Sequence, residues 1–477
     1  MKLSALLKDV EVLSRFDGDR EVEKVVASSK DAGEKTLFIS LDVLSNKDGR
    51  YTREAREKGS LIVADGDTED GDIAVKDAAA ARSIIWRNYY GDPASSLRIH
   101  GVTGTNGKTT VTFLLRHILE KCGRRAGIIG TVANMTGDDA VASARTTPPP
   151  DELYGLLDKM RKNRLSDVCM EVSSHSLVQK RVSAVNFQSG AVTNLTRDHL
   201  DYHGNMDNYL AAKLLLVPLC ENFAYNADDA YAYAFKEASS VCKGKNLSYG
   251  ISSQNCDIRA KNLRQSREKT AFTLCYDGRE RETEINIPGR FSVYNALTAV
   301  SLAVLSGVPF DKASEHIATA CGIKGRMERI ETKDGVTVVI DYAHTPDGLE
   351  KVLVALRDVK GRGKLVTVFG CGGDRDKTKR PIMGEIAARL SDLVIITSDN
   401  PRTEDPYAII DEIASGAAFS RAPILIIEDR RTAIKTALSN ASKGDIVLLA
   451  GKGHETYQSL KDRVVDFDER EILKEYI

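Results

Sequence analysis

A glycine-rich segment that ends in lysine and threonine is the clearest chemical signature of this chain. Residues 99–110 have the sequence Ile-His-Gly-Val-Thr-Gly-Thr-Asn-Gly-Lys-Thr-Thr, between a strand-like and a helix-like run. There, backbone amides at a helix N-terminus can cradle phosphates, Lys108 can reach the β and γ phosphates, and the Thr109 hydroxyl can bind Mg²⁺. The regular pattern has a glycine where Val102 stands, so the neighbouring glycines must supply the tight backbone. The Lys-Thr pair favours ATP binding over a ligand-free glycine turn.

The phosphate loop alone does not identify the acceptor, because a kinase, a helicase-like motor and an ATP-driven ligase need the same cradle. Two further segments carry acidic and imidazole groups. Glu171 ends a strand-like run, where it can hold Mg²⁺ from the side opposite Thr109 or simply face solvent. Residues 193–204 contain two histidines and two aspartates. A polar turn with capping aspartates is the alternative there, and neither spacing fits a zinc motif.

The elements that position these groups follow from the pattern of apolar runs. In the last third of the chain, five short β-branched runs are separated by helix-length segments, which predicts a parallel sheet with crossover helices. These runs are 336–340, 364–369, 392–397, 423–427 and 445–449. Four of them lead directly into polar clusters. Ligands of open α/β sheets bind beyond the carboxyl ends of the strands, so these clusters are candidate binding residues.

The rest of the chain also predicts an α/β fold. From 97 to 322 strand-like and helix-like runs alternate, as in a doubly wound sheet, and residues 252–287 predict an antiparallel addition to it. Residues 1–90 predict a small α/β unit, and the Gly, Pro and Ser content of 90–96 is typical of a connection. We therefore expect three domains, at 1–90, 91–322 and 323–477.

Composition excludes several classes of protein. The 477 residues include 67 Lys and Arg against 68 Asp and Glu, a net charge of −1 that argues against a nucleic-acid binder. With 42% hydrophobic and 28% charged residues, most of the chain is not disordered. The eight cysteines form no Cys-x-x-Cys pair, which indicates reduced thiols. No run reaches the roughly 18 apolar residues of a membrane helix and no signal segment begins the chain, so we expect a cytoplasmic protein without membrane insertion.

Six motifs together resemble the Mur ligases of peptidoglycan synthesis. They are Gly104-Thr-Asn-Gly-Lys-Thr-Thr110, Met170-Glu-Val-Ser-Ser-His175, Asn194-Leu-Thr-Arg-Asp-His-Leu-Asp201, Asn295-Ala, Gly325-Arg-Met-Glu328 and Asp341-Tyr-Ala-His-Thr-Pro346. The resemblance covers essentially the whole chain in order and is weakest in the first 90 residues. It implies a domain that binds a nucleotide sugar, a central ATPase and a C-terminal Rossmann-like domain that brings the amino acid.

The resemblance also implies the reaction. The D-glutamyl γ-carboxylate of UDP-N-acetylmuramoyl-L-Ala-D-Glu attacks the γ phosphate of ATP and forms an acyl phosphate and ADP. The amine of the incoming amino acid then displaces phosphate and leaves an amide. This chemistry is consistent with the motifs, because two anions must be brought together under metal and cation screening.

The site residues are carried over position by position. The ATP-binding residues implied are Gly104, Thr105, Asn106, Gly107, Lys108, Thr109, Thr110, Asn295, Arg326, Asp341 and His344. Thr109, Glu171 and His199 are the implied Mg²⁺ residues, and Lys108, Lys213 and His199 the implied catalytic ones. Lys213 matches a lysine that the family carbamylates. A carbamate is an anion that can bind a second Mg²⁺.

For the nucleotide substrate, Ser29 resembles a serine on the uridine side. The segment 44–47, Leu-Ser-Asn-Lys, departs from the Gly-His type of pattern that is common in the family. The residues implied for the sugar and peptide part are Thr146, Thr147, Ser173, Gln179 and Arg181.

The segment Asp399-Asn-Pro-Arg402 resembles the family's diaminopimelate motif. Diaminopimelate differs from lysine by a distal carboxylate, so a selective pocket needs a cation, and Arg402 can bind that carboxylate with two hydrogen bonds. Lysine would leave the guanidinium unpaired, at a cost of about 1–3 kcal/mol. Arg375 matches a second carboxylate-binding position, and Gly451 and Glu455 match positions near the distal amine. We expect meso-2,6-diaminopimelate as the substrate amino acid and a monomeric protein.

Three other functions remain open on the sequence. A lysine-adding member of the family and a folylpolyglutamate synthetase share the ligase chemistry, but Arg375 and Arg402 and the first 90 residues favour diaminopimelate addition. An ATP-switched binding or motor protein would use the phosphate loop without an acceptor carboxylate. Such a switch does not need the polar clusters of the last third.

Overall fold

The computed structural model describes residues 1–14, 19–41, 49–65, 68–418 and 420–477. Within these ranges the chain forms sheets of four, eleven, six and two strands. The α/β fold predicted from the sequence is confirmed, with mostly parallel strand pairing in the three larger sheets. In the described part of the chain, no helix is long and apolar enough to cross a membrane. All eight cysteines lie in these ranges and are free thiols.

The N-terminal sheet has the strand order β1-β2-β3-β4, with parallel pairing throughout. Its strands are β1 (Lys24–Val26), β2 (Thr36–Ile39), β3 (Leu61–Ala64) and β4 (Ile73–Ala74). The helices of this part are α1 (Leu3–Leu6), α2 (Arg50–Glu57) and α3 (Ala78–Tyr89). Asp77 begins α3 by accepting a hydrogen bond from the Ala80 amide, and α3 lies against the central part of the chain.

The central sheet has the order β15-β14-β13-β12-β11-β10-β5-β9-β6-β7-β8. Its strands are β5 (Arg98–Thr103), β6 (Ala126–Ile129), β7 (Asn134–Met135), β8 (Ala140–Val141), β9 (Asp167–Glu171), β10 (Phe187–Val192), β11 (Cys220–Asn226), β12 (Asn246–Gly250), β13 (Ile258–Gln265), β14 (Thr270–Tyr276) and β15 (Arg279–Ile285). Strands β13 to β15 pair antiparallel, which confirms the addition predicted for residues 252–287.

Helices cover both faces of the central sheet and place the phosphate loop between β5 and α4. They are α4 (Lys108–Lys121), α5 (Pro150–Lys162), α6 (Ser174–Val178), α7 (Leu200–His203), α8 (Met206–Leu214), α9 (Ala232–Ala238), α10 (Arg290–Leu305) and α11 (Phe310–Ile317). The sequence predicted a helix over 208–216, which is wrong by two residues at each end. Asn205 accepts a hydrogen bond from the Asn208 amide and so starts α8 earlier, and a 3₁₀ turn that contains Pro218 follows its end.

The C-terminal sheet has the order β16-β17-β21-β18-β19-β20, parallel except for β16, and a hairpin of β22 and β23 follows. The strands are β16 (Glu328–Glu331), β17 (Thr337–Asp341), β18 (Leu365–Phe369), β19 (Leu393–Ile396), β20 (Ile424–Ile426), β21 (Ile446–Ala450), β22 (Tyr457–Ser459) and β23 (Val464–Asp466). The helices are α12 (Pro346–Val359), α13 (Lys379–Leu390), α14 (Pro406–Ala417), α15 (Arg430–Ser439) and α16 (Glu469–Leu473). The central strands β17, β18 and β21 are buried along their length, as expected for a sheet covered on both faces.

An ionic cluster is buried at the amino-terminal edge of the central sheet, opposite the phosphate loop. Asp167, the first residue of β9, is fully buried and accepts hydrogen bonds from Arg98, His100 and Arg124. His100 also bonds through Nδ1 to the hydroxyl of Ser189, 2.8 Å away. The serine, histidine and aspartate are all buried, so this arrangement ties together the neighbouring strands β10, β5 and β9 and is closed to substrates.

The substitution Asp167→Asn tests this structural role. Removing one member of a buried charge cluster leaves the arginines with a weaker partner, at a cost of about 3–5 kcal/mol. We expect the thermal denaturation midpoint to fall by at least about 5 °C. The matched substitution Arg98→Ala removes a cation whose side chain is 45% exposed, and should cost less than about 1 kcal/mol. An unchanged midpoint in Asp167→Asn would contradict a stabilising role.

Candidate functional site

Close packing of the phosphate loop requires its glycines. Gly104 has φ +144° and Gly107 has φ +90°, values in which a side chain is strained. A Cβ at Gly104 would overlap the hydroxyl of Thr193, and one at Gly107 would overlap the side-chain oxygen of Asn295. The loop therefore lies directly against the end of β10 and against α10. This explains how Gly104 and Gly107 supply the tight turns that Val102 cannot.

The middle of the loop is held by hydrogen bonds from two other segments. The amides of Thr105 and Asn106 donate to the backbone and side-chain oxygens of Asn194, at 2.9 and 3.0 Å. The Asn106 side chain donates to Asp347 on α12, 2.8 Å away. The phosphate loop of the central sheet thus contacts a helix of the C-terminal sheet. Thr110 is buried in the first turn of α4.

Lys108 lies at the first position of α4 and folds back over the loop. Its ammonium donates to the carbonyl oxygens of Gly104 and Thr105, at 2.8 and 2.9 Å. Burial lowers the pKa of this lysine, and the nearby guanidinium of Arg326 lowers it further. An ammonium held above a glycine loop in this way is placed to meet an anion that binds in the loop.

The hydroxyl of Thr109 joins groups from three segments. It donates to Oε2 of Glu171, 3.0 Å away, and accepts a hydrogen bond of 3.0 Å from Arg326. Glu171 is buried and accepts two more hydrogen bonds, from the amide and the hydroxyl of Thr131. Arg326 lies over the ring of Tyr342, 4.6 Å from its centre, and its Nε is buried without a partner among the described groups.

These residues fit Mg²⁺ bound together with a nucleotide. Mg²⁺ prefers oxygen ligands, keeps several waters and usually takes one or two protein groups plus phosphate oxygens. A buried carboxylate beside a threonine hydroxyl at a phosphate loop supplies such a set. In the part of the chain that the structure describes, no group of three His, Cys, Asp or Glu side chains could hold a metal ion. The unpartnered Nε of Arg326 offers a donor for the nucleotide.

His199 lies on the other side of the loop, next to Asp198. The residue has φ +53°, its amide donates to the Asp198 carboxylate, and its ring nitrogen lies 3.3 Å from the same carboxylate. The ring meets His175 edge-on, with 4.9 Å between centres. Burial lowers the pKa of His199 to about 3, so its imidazole is neutral at physiological pH. A neutral imidazole can accept a hydrogen bond or bind a metal.

Lys213 is buried beside this histidine cluster. Its side chain is 1% exposed, and its ammonium lies 4.4 Å from the centre of the Tyr209 ring. Among the described residues, no carboxylate lies within ion-pair distance of it. Burial lowers its pKa well below the usual range, and Lys108 lowers it further.

Asp341 and His344 join the C-terminal sheet to the site. Asp341, at the end of β17, is buried and accepts hydrogen bonds from the amides of Met327 and Ala343, so it fixes the turn that carries Arg326. Burial raises the pKa of Asp341. Burial lowers the pKa of His344 to about 4, and its ring nitrogen bonds to the Tyr342 carbonyl.

The structure brings together the residues predicted for the sugar and peptide part of the substrate. Thr147 links them: its hydroxyl donates to the Glu171 carbonyl and accepts from the Ser173 amide, and its carbonyl accepts from Arg181. Arg181 also bonds to the side chain of Gln179. Burial lowers the pKa of Arg181 to about 10, and nearby arginines act in the same direction. The Thr146 hydroxyl lies within hydrogen-bond distance of the Thr131 hydroxyl, 3.0 Å away, beside Glu171.

The prediction that Ser29 lies on the uridine side of the nucleotide substrate has less structural support. Ser29 is buried in the N-terminal part of the chain, where its hydroxyl donates to Glu54, and no described polar contact joins it to the other predicted residues. The segment 44–47 lies outside the described residues.

The diaminopimelate motif and the last glycine-rich motif, Gly451-Lys-Gly-His-Glu455, form one cluster. Asn400 donates to the Glu455 carboxylate, 2.8 Å away, and Gly451 donates to the Asp341 carbonyl at the neighbouring strand end. Arg402 has φ +52° and donates to the Gly373 carbonyl, 2.5 Å away. Asp399 and Pro401 also belong to this cluster, because Asp399 lies beside Gly451 and Pro401 lies beside Gly373.

Arg375 is separate from this cluster. Its guanidinium is exposed and donates to the Asp374 carbonyl, next to it in the chain. The guanidinium groups of Arg375 and Arg402 therefore do not face a common point. Arg402 nevertheless contacts the loop that carries Arg375. The predicted roles of both residues stay predictions.

The sequence reasoning missed three residues that hold the site. Thr131 binds Glu171, Tyr209 covers Lys213, and Lys452 is fully buried between the diaminopimelate motif and Glu455. Only Lys452 had a local signal, because it stands inside the last glycine-rich motif. Thr131 and Tyr209 belong to segments with no distinctive pattern, and tertiary packing brings them in.

Comparisons with known proteins agree with this geometry. A family model described as "Mur ligase middle domain" matches residues 102–303, and one described as "Mur ligase, glutamate ligase domain" matches residues 325–453. A relative from Clostridium botulinum (strain ATCC 19397 / Type A), named UDP-N-acetylmuramoyl-L-alanyl-D-glutamate--2,6-diaminopimelate ligase, is 40% identical over 488 residues. The match covers 100% of this chain and 99% of the relative. A relative of the same name from Caldanaerobacter subterraneus subsp. tengcongensis is 41% identical and covers the same shares.

Two solved structures show the same architecture. The structure of a UDP-N-acetylmuramoyl-L-alanyl-D-glutamate--2,6-diaminopimelate ligase matches with a TM-score of 0.72 and 30% identity, over 100% of this chain and 98% of the other. The MurF ligase from Thermotoga maritima, solved with ADP, matches with a TM-score of 0.61 and 18% identity, over 90% and 93% of the two chains. The second match concerns the fold alone.

The substitution Gly104→Ala tests the close approach at the phosphate loop. The added methyl group would overlap Thr193 and strain the backbone, which together cost about 1–3 kcal/mol or more and open the loop. We expect at least a tenfold weaker affinity for ATP by calorimetry, since about 1.4 kcal/mol is a tenfold change. The control Gly123→Ala also has a positive φ, +78°, but nothing within 4 Å of the new Cβ, and should retain wild-type affinity. Equal affinities in the two variants would contradict the steric argument.

Proposed function

Because the chain belongs to the Mur ligase family, we propose that it is the ATP-dependent ligase that adds 2,6-diaminopimelate to UDP-N-acetylmuramoyl-L-alanyl-D-glutamate. The enzyme then serves peptidoglycan precursor synthesis and forms an amide bond. Members of the family use ATP and Mg²⁺. The observation that carries the proposal is the Thr109 hydroxyl, which unites the phosphate loop, Glu171 and Arg326 in one hydrogen-bonded set.

In the first step, the γ-carboxylate of the D-glutamyl residue attacks the γ phosphate of ATP, and ADP leaves. We propose that Lys108 and Arg326 lie against the phosphates, because both are cations beside the loop and neither has a carboxylate partner among the described side chains. Two anions meet in this step, so fixed cations lower the barrier by offsetting their repulsion. Thr109 and Glu171, together with His199, would hold Mg²⁺, which when bound would supply further screening and a Lewis acid.

In the second step, the amine of diaminopimelate attacks the acyl phosphate, phosphate leaves, and the amine loses a proton. We propose that Thr146, Thr147, Ser173, Gln179 and Arg181 hold the sugar and peptide part of the nucleotide substrate, with Ser29 on its uridine side. Support comes from their contacts around Thr147, next to the Glu171 backbone. The acceptor carboxylate would then lie beside the phosphate loop, as the first step requires.

We further propose that Lys213 is carbamylated. A neutral amine attacks CO₂ and releases a proton, and the product is a carbamate with one negative charge. Lys213 is suited to this reaction because it is buried without an anionic partner among the described residues, which disfavours its ammonium form. A carbamate there would be an anion near Lys108, and its oxygens would be ligands for a second Mg²⁺.

For the amino acid, we propose that Arg402 binds the distal carboxylate of diaminopimelate and that Arg375, Asp399, Asn400, Pro401, Gly451 and Glu455 form the rest of the subsite. The hydrogen bond that joins Asn400 to Glu455 supports a common subsite for the two motifs. The proposed domains are 1–90, 91–322 and 323–477. The second boundary falls in the turn between α11 and β16.

The decisive measurement is ADP release with the nucleotide dipeptide and either meso-diaminopimelate or L-lysine. We expect kcat/KM to be about 10–100-fold higher with diaminopimelate, because lysine leaves the guanidinium without its carboxylate. Equal or greater efficiency with lysine would refute the assignment of the amino acid. ADP release without any amide product would instead support an ATP-switched binding protein.

The substitution Arg402→Leu locates this selectivity. We expect KM for diaminopimelate to rise about 10–100-fold while KM for lysine changes little, so that the variant no longer distinguishes the two. The matched control is Arg431→Leu, an exposed arginine on α15, which should behave as wild type. An unchanged preference in Arg402→Leu would assign the carboxylate to another cation, and Arg375 is the next to test.

Carbamylation is tested with ¹³C-labelled bicarbonate and carbon NMR. We expect the wild-type protein to give a carbamate signal that Lys213→Ala lacks. The variant should also lose about 100-fold or more in kcat, because a metal ligand is missing. The control Lys236→Ala removes an exposed lysine on α9 and should keep both the signal and the activity. A fully active Lys213→Ala variant would exclude the carbamate from the mechanism.

A further inference from the structure

Lys452 is a fully buried lysine two residues after the end of β21, at the carboxyl edge of the C-terminal sheet. Its side chain is 0% exposed. The ammonium donates to the side-chain oxygen of Asn400, 2.9 Å away, and to the Tyr457 carbonyl, 2.8 Å away. Two carboxylates face its remaining side, with Asp399 Oδ1 at 3.2 Å and Glu455 Oε2 at 3.4 Å. Lys452 is therefore closed off from solvent and cannot touch a substrate.

A buried ammonium is costly unless its hydrogen bonds and charge are matched, typically by several kcal/mol. Here the side chains that match it are Asp399, Asn400 and Glu455, all from the proposed amino-acid subsite. The same ion contacts the loop after β19 at Asn400, the loop after β21 at Glu455, and the start of β22 at Tyr457. One lysine thus holds three separate segments of the chain in a single arrangement.

The chemistry of an ammonium decides which way the Asn400 amide faces. An ammonium has three donors and no acceptor, so Lys452 can bond only to the oxygen of that amide. The Ser459 amide donates to the same oxygen at 2.9 Å, which leaves the Asn400 NH₂ to bond Glu455 Oε2. Glu455 is therefore held through one oxygen. Among the described residues, its other oxygen, Oε1, has only a long contact of 3.4 Å, with the Tyr342 hydroxyl.

Lys452 also separates like charges. Asp399 and Glu455 both lie near it, are largely buried, and would repel each other without a cation between them. Asp399 Oδ1 has no hydrogen-bond partner among the described atoms although the ammonium is 3.2 Å away, so the attraction there is ionic. Two anionic groups held in this way suit an incoming molecule that carries ammonium groups, as an amino acid does.

We propose that Lys452 is the positioning residue for amine recognition in the amino-acid subsite, acting through Asn400, Asp399 and Glu455. The inference rests on the proposed function. It adds that the affinity for the amine-bearing substrate depends on a residue that never touches it. The expected signature is a selective effect on KM for the amino acid, because the phosphate loop and the nucleotide-peptide residues make no described contact with Lys452.

The test uses Lys452→Met in the full-length enzyme. We expect KM for meso-diaminopimelate to rise about 30-fold or more, as when one partner of a buried charge pair is removed, with KM for ATP and for the nucleotide dipeptide within about twofold of wild type. The matched control is Lys360→Met. Lys360 bonds Gly363 and Asp392 at the opposite edge of the same sheet, so its loss should leave all three KM values unchanged.

A second variant covers the case in which Lys452→Met does not fold. Lys452→Arg keeps the buried charge but replaces three directional donors by a planar fork, and should raise KM for diaminopimelate about three- to tenfold. An amino-acid KM within twofold of wild type in either folded variant would overturn the proposal, as would a parallel rise in all three KM values or the unfolding of both variants. Failure of the proposed function is distinct from these outcomes, because the wild-type enzyme would then form no amide with diaminopimelate.

Discussion

The hydrogen bonds of one hydroxyl group connect the two large sheets of this protein. Thr109 belongs to the helix that follows the phosphate loop, Glu171 ends the adjacent strand β9, and Arg326 stands at the entry to the C-terminal sheet. Each group alone is an ordinary feature of an α/β protein. Their meeting at 3.0 Å requires that the C-terminal sheet pack against the carboxyl edge of the central one, and the rest of the site depends on that packing.

Buried charges serve opposite purposes at the two edges of these sheets. At the amino-terminal edge of the central sheet, Asp167 holds two arginines and a histidine and is closed to ligands. At the carboxyl edge of the C-terminal sheet, Lys452 holds polar groups of the proposed amino-acid subsite. The electrostatic principle is the same, but strand polarity places only the second cluster where ligands of open α/β sheets bind.

Much of the architecture could be predicted from the sequence, because strand runs and helix periods are local. The run 364–369 became Leu365–Phe369, and the antiparallel addition at 252–287 formed as expected. Ends of elements were less accurate, as for α8, because a capping side chain and a following proline decide them. The site was predicted where glycine, lysine and carboxylate types stand in a fixed spacing. Thr131 and Tyr209 were missed because neither carries a pattern of its own.

By itself the sequence determined the α/β class, the phosphate loop and the polar clusters after the strands, since all of these depend on neighbouring residues. Only the tertiary structure decided which clusters meet. It joined Asn400 to Glu455 through Lys452, and it left Arg375 in solvent with its guanidinium on the adjacent carbonyl. The physical reason is that hydrogen bonds and ion pairs between distant segments require distances of about 3 Å, which only the packing of whole sheets can set.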